Sequence, residues 1–235
     1  MRNLVSVLPL LVAACSAAHG TSMVAPDPAH PVVVELFQSQ GCSSCPPANA
    51  NLNAIAETQP GVLALSFAVT YWDQLGWKDG FARPAFTARQ WDYAHAAGRA
   101  EVATPQVIVN GQRVVTGGNR EVLDRTIAQA GPALGGPTID PAGGRIRLGA
   151  VANARPATVW LVRYDPRVRA VPIRAGENAG KTLPHRNIVR QLVALGDWRG
   201  AAAAYALPAP TEPGLATAVL VQQGRGGPIT AARKL

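Results

Sequence analysis

The chain has 235 residues, enough for one large or two modest cores, and 48% hydrophobic against 15% charged residues excludes an intrinsically disordered protein. The formal charge of +8 comes from 19 Arg and 3 Lys set against 14 Asp and Glu, scattered without a basic run. No nucleic-acid partner is expected from this pattern; a diffusely basic surface is the simpler reading, with weak attraction to anionic membranes left open.

The N-terminus carries the first signal. Arg2 precedes an apolar run over residues 4–14 and a small-residue zone, Cys15-Ser16-Ala17-Ala18. That order predicts a secretory signal peptide over residues 1–18. The run is too short for a spanning helix, which takes roughly 20 residues. Val12-Ala13-Ala14-Cys15 resembles a bacterial lipobox, in which Cys15 becomes a lipid anchor to the membrane; cleavage after Ala17 or Ala18 is the alternative. Either route leads out of the cytoplasm, to a periplasmic protein or an outer-membrane lipoprotein. Either also removes Cys15 from the thiols, leaving Cys42 and Cys45 in a compartment that tolerates disulfides.

Residues 31–37 (PVVVELF) and 62–69 (VLALSFAV) read as buried strands, with a helix over 48–59 between them and Pro60-Gly61 as its stop. A connection of this length makes the two strands parallel neighbours. Residues 81–98 read as a second helix after Pro84. Residues 106–109 and 112–115 flank Asn110-Gly111, the strongest short hairpin signal, and a last helix spans 120–130. Gly and Pro over 131–137 suggest a linker. Beyond it, short alternating or apolar segments at 146–148, 157–164, 170–174, 185–195, 201–206 and 216–221 suggest a smaller, mostly antiparallel β module over 138–235, although 185–195 also suits a helix. The expected fold class is α/β, with a mixed sheet and flanking helices over 31–130 followed by that module.

Cys42-Ser43-Ser44-Cys45 stands between a strand and a helix. This spacing sets one thiol at a helix N-terminus, where the dipole and free N–H groups favour a thiolate. Cys42 is expected to be the exposed attacking thiol and Cys45 the resolving one. A structural disulfide, half a zinc site and a Cu(I) pair are the alternatives. Zinc lacks paired histidines, since His19, His30, His95 and His185 lie apart, and copper needs His95 or His185 as a third ligand. No metal and no cofactor are expected. Pro105 opens the strand that enters the hairpin; a cis Thr104-Pro105 bond would turn the Thr104 backbone toward the cysteines to meet an extended thiol substrate. Trp72, Asp73 and Trp77 follow the second parallel strand, at the sheet edge that also holds Cys42, and are candidates to wall the site.

Residues 31–130 resemble the thioredoxin superfamily. More closely, VVVELFQSQGCSSCPPA, YWDQLGWKD, TPQVIVNG and GENAGKTLPHRNIVR resemble the secreted thioredoxin-like proteins of domain-of-unknown-function family 1223, over nearly the whole mature chain. The resemblance implies a thioredoxin-like domain and an extracytoplasmic thiol–disulfide oxidoreductase working on protein or small-molecule thiols. The other reading is a non-catalytic binding or assembly module whose pair is structural or holds Cu(I). The thioredoxin resemblance also implies that Glu35, near the buried acid of that superfamily, shuttles the proton of Cys45; a strand-end Glu reaching solvent or a basic partner is the alternative. Three features depart from working thioredoxins: Gly41 in place of a tryptophan, no proline between the cysteines, and Pro46-Pro47 directly after them, which would delay the helix and weaken its dipole on Cys42.

Overall fold

The computed structural model describes residues 29–235. Strands β1 (Val32–Gln38) and β2 (Val62–Ala68) are buried along their whole length and pair in parallel from Val32↔Val62 to Gln38↔Ala68. Burial on both faces is why they read as unbroken apolar runs. Helix α1 (Cys45–Thr58) makes the crossover, and α2 (Pro84–Ala96) opens on a proline whose fixed φ suits a first turn. β3 (Gln106–Val109) pairs antiparallel with β1 and with β4 (Arg113–Val115). Asn110 (φ 47°) and Gly111 (φ 71°) both take left-handed backbone in the three-residue connection between the paired Val109 and Arg113, one residue longer than the sequence suggests. α3 (Arg120–Ala130) begins at Asn119, whose side chain accepts from the Val122 N–H at 3.0 Å.

The expected α/β class holds, a mixed sheet with flanking helices followed by a mostly antiparallel C-terminal module. That module contains β5 (Ile139–Ala142), β6 (Arg145–Leu148), β7 (Ala157–Asp165), β8 (Arg169–Pro172), β9 (Thr182–His185), β10 (Ile188–Trp198), β11 (Ala203–Ala206), β12 (Ala216–Gln223) and β13 (Ile229–Lys234). Residues 185–195 are therefore not a helix: His185 closes β9, and 188–195 lie in β10. β10 joins the edge of β2 through the parallel bridge Ile188↔Ser66, giving one eight-stranded sheet ordered β13-β12-β7-β10-β2-β1-β3-β4. β11-β6-β5 form a small second sheet, and β8-β9 a separate two-stranded ribbon.

Alternation along β1 sorts the core into two faces. Val34 and Leu36 pack with Ala48, Leu52 and Ile55 of α1 and with Leu123 and Ile127 of α3. Val33 and Phe37 pack with Phe67, with Phe86 and Tyr93 of α2, and with Val162, Val189 and Leu220 of the C-terminal strands. The second cluster thus runs through both halves of the chain. Residues 131–137 are pinned rather than free: Ala133 is buried in that cluster, and the Gly136 N–H donates to the Thr230 carbonyl at 2.9 Å. Among the described residues no helix is long and apolar enough to cross a membrane.

Candidate functional site

Cys42 and Cys45 form a disulfide with Cα atoms 5.4 Å apart, just beyond the carboxyl end of β1. The helix starts at Cys45 with Ser44 as its cap residue, so Pro46 and Pro47 occupy its first turn, where a missing N–H costs nothing. The helix is therefore not delayed by the prolines. A cap side chain normally accepts from the second or third helical N–H, and here both positions are proline. Ser44 accordingly makes no capping bond, and its Oγ lies 3.3 Å from Cys42 Sγ, where the hydroxyl can donate to sulfur. Cys42 stands two residues ahead of the cap. Its sulfur lies 3.8 Å from the Thr104 carbonyl oxygen, and Thr104-Pro105 is cis. The expected exposed thiol is corrected here: Cys42 is 0% and Cys45 1% exposed.

Both tryptophans bond residues that neighbour the pair. The Trp72 indole donates to Thr104 Oγ1 at 2.7 Å, and the Trp77 indole to Gln40 Oε1 at 2.9 Å. Asp73 does not face the sulfurs: its Oδ1 accepts from the Asp79 N–H at 3.1 Å and braces the loop. Asp79, buried, accepts from the backbone N–H groups of Gln40 and Phe81 at 2.9 Å each. Burial pushes the Asp79 carboxyl up to about 6, against the help of those two donors.

Glu35 is not at the thiols. Side chains alternate across a strand, and Glu35 shares the face of Val33 and Phe37, whereas α1 packs on the face of Val34 and Leu36. Glu35 is fully buried beneath α2 and paired with Arg89, whose Nε lies 2.7 Å from its Oε1; the Tyr93 hydroxyl also donates to it. Arg89 reaches further to Gln222 Oε1 of β12 at 3.1 Å and lies over the rings of Phe67, Tyr93 and Trp160. Burial raises the Tyr93 phenol well above its ordinary value, so it stays neutral and donates. Glu35 thus has the basic partner of the alternative reading, in a buried ion pair that reaches through Arg89 to β12 of the C-terminal strands.

The wall absent from the sequence reading comes from the β8–β9 segment. The Asn178 amide nitrogen donates to the carbonyl oxygens of Gln40 and Cys42, 2.9 Å from each, and Lys181 Nζ lies 2.9 Å from Asn178 Oδ1. Glu177 Oε2 accepts from the Ser43 N–H at 2.9 Å. Asn49 and Asn53 of α1 donate to the Pro184 carbonyl at 2.6 and 2.8 Å. Next to it, His185 is buried edge-on to Phe81 with neither ring nitrogen hydrogen-bonded, and burial lowers its pKa to about 4. His95 stacks on Trp91 at the end of α2. Among the described residues no group of three His, Cys, Asp or Glu could hold a metal ion.

Fold and site together define an α/β protein, a large mixed sheet with flanking helices, whose buried CxxC disulfide lies against the segment between β8 and β9. The chain belongs to the family described as "Protein of unknown function (DUF1223)", which matches residues 33–222. It is similar to a crystal structure of protein AGR_C_4864 from Agrobacterium tumefaciens, with 31% identity over 87% of this chain and 93% of that one and a TM-score of 0.71. It also shares its fold with HBP35 of Porphyromonas gingivalis, at 13% identity over 88% of this chain and 74% of that one and a TM-score of 0.60. No curated protein matches the chain.

Proposed function

We propose that this protein is an exported thiol–disulfide oxidoreductase acting on protein or small-molecule thiols. The observation that carries the reading is the Cys42–Cys45 disulfide at the first turn of α1, with the Thr104 carbonyl 3.8 Å from Cys42 Sγ. A partner thiolate attacks Cys42 Sγ, the Cys42–Cys45 bond breaks, and its electron pair leaves on Cys45 as a thiolate. A second thiolate of the partner then attacks the partner's own sulfur in the mixed disulfide and releases Cys42 as a thiolate. Two electrons pass from the partner dithiol to the pair; the reverse sequence reduces a partner disulfide. The first turn of α1 and the Ser44 hydroxyl supply positive partial charge for these thiolates. Export rests on Arg2, the apolar run and Cys15, which lie outside the described residues.

The complete burial of both cysteines favours a second reading, a structural disulfide. The reduction potential separates the two. Exchange predicts a value within the range of catalytic pairs, about −270 to −120 mV, whereas structural bridges lie below about −300 mV. A value below that limit, with no exchange against a model dithiol, overturns the oxidoreductase reading.

A further inference from the structure

We propose that residues 174–181 form a gate over the Cys42–Cys45 disulfide, latched by Asn178, and that thiols reach the sulfurs when this gate lifts. Asn178 is 0% exposed, while its neighbours in the segment are exposed, so a single side chain plugs the site. Its amide spends both N–H groups on the Gln40 and Cys42 carbonyls, the backbone on either side of Gly41. Glu177 adds a bond to the Ser43 N–H, and Gly176 lies against Trp77. Gly176 (φ 73°) and Gly180 (φ 82°) bracket the plug in left-handed backbone that strains any other residue, and a Cβ on Gly176 would come within 3.2 Å of the Trp77 Cβ, a tight approach.

The segment can move because of what it lacks. β8 and β9 pair only with each other, and an isolated two-stranded ribbon is marginal in water. Both ends are anchored, by buried Ile173 on one side and by the Pro184 carbonyl and His185 on the other. Between those anchors the segment is held to the site by polar contacts, each worth little against water. Such a region opens locally at a free energy far below global unfolding. As a statement about access the gate stands alone; its use in regulating exchange rests on the oxidoreductase reading.

The test is the rate at which dithiothreitol reduces the oxidised full chain, compared with Lys181→Ala, Asn178→Ala and Asn178→Asp. Losing the two amide bonds raises the open population, and with it the reduction rate, by roughly ten- to hundredfold in Asn178→Ala. Asn178→Asp sets carboxylate oxygens against two carbonyl oxygens and accelerates at least as much. Lys181→Ala, at an exposed position remote from the core, accelerates by a smaller factor. The expected rates are nearly independent of low urea, the mark of local opening. Equal rates in all four chains overturn the gate, as does acceleration that climbs steeply with urea, because the disulfide is then reached through global unfolding. A reduction potential in the structural range, with these rates as expected, removes the oxidoreductase reading and leaves the gate.

Discussion

Removing one partner of the Glu35–Arg89 pair is expected to cost more than removing both. Glu35 is 0% and Arg89 4% exposed. Glu35→Ala strands a guanidinium among Phe67, Tyr93 and Trp160, with only Gln222 and Tyr93 oxygens left to accept from it. Breaking a buried pair this way costs roughly 3–5 kcal/mol. For a chain of this size that lowers the melting temperature by about 2–4 °C per kcal/mol, hence by roughly 10 °C. Glu35→Leu combined with Arg89→Met removes both charges and refills most of the volume. What remains is the lost partnership of the Tyr93 hydroxyl and the Gln222 amide, roughly 1–2 kcal/mol. Urea denaturation of the three chains, followed by tryptophan fluorescence, gives the comparison. A double variant as unstable as Glu35→Ala, or a single variant losing under about 1 kcal/mol, refutes the buried-pair account. The isosteric Glu35→Gln adds a functional arm: it leaves the pH profile of thiol exchange unchanged, whereas a proton relay to Cys45 would shift it.

Two buried groups set opposing pH dependences. Asp79 is raised from 3.8 to about 6 in the fold, so the native state binds its proton more tightly and stability is lost as pH rises from about 4 to about 6. His185 is lowered from 6.5 to about 4, so stability is lost as pH falls through nearly the same window. Each shift corresponds to about 3 kcal/mol, and the wild-type urea midpoint is therefore expected to be nearly flat between pH 4 and 6.5. His185→Leu should gain stability on acidification and Asp79→Asn should lose it; two variants that both track the wild type contradict the assignment. For export, the full-length chain made in a Gram-negative host is expected to incorporate labelled palmitate, and Cys15→Ala to abolish the label. Unprocessed protein in the cytosol would remove the export reading.

The strand–helix–strand unit, the Asn110-Gly111 hairpin and α3 were legible because each is specified locally, by an apolar run, a left-handed dipeptide or a capping asparagine. β5 was not legible, since its four residues, IDPA, include a proline that argues against a strand. The partner of β10 was beyond reach for a different reason. Alternation reports that a segment is a strand but not which edge it joins, and the junction to β2 is one bridge between residues more than a hundred positions apart. Glu35 shows how narrow the margin is: the acid was placed close to the right position, and in a strand one residue exchanges one face for the other. Asn178 lay within the string GENAGKTLPHRNIVR that carries the family resemblance, but nothing in that string pointed to the cysteines, because the partners of Asn178 are backbone carbonyls, which every residue carries.

The same geometry decides how this site can be studied. β10 enters the sheet beside Ser66, and the Asn187 side chain and carbonyl clasp β2 at Ala64 and Ser66 immediately before it. The β8–β9 ribbon is thereby delivered to the end of β2 that lies nearest the cysteines, so the wall over the disulfide follows from the sheet extension. A truncation after residue 130 would remove that wall, bare the β2 edge, and take Val162, Val189 and Leu220 out of the core on the α2 face. It would also strip Gln222 from the buried Arg89. Such a fragment would report exposed thiols and a damaged core together. Point changes in the full chain, at Asn178 for access and at Glu35 for the core, separate those two effects because the two side chains share no hydrogen-bond partner.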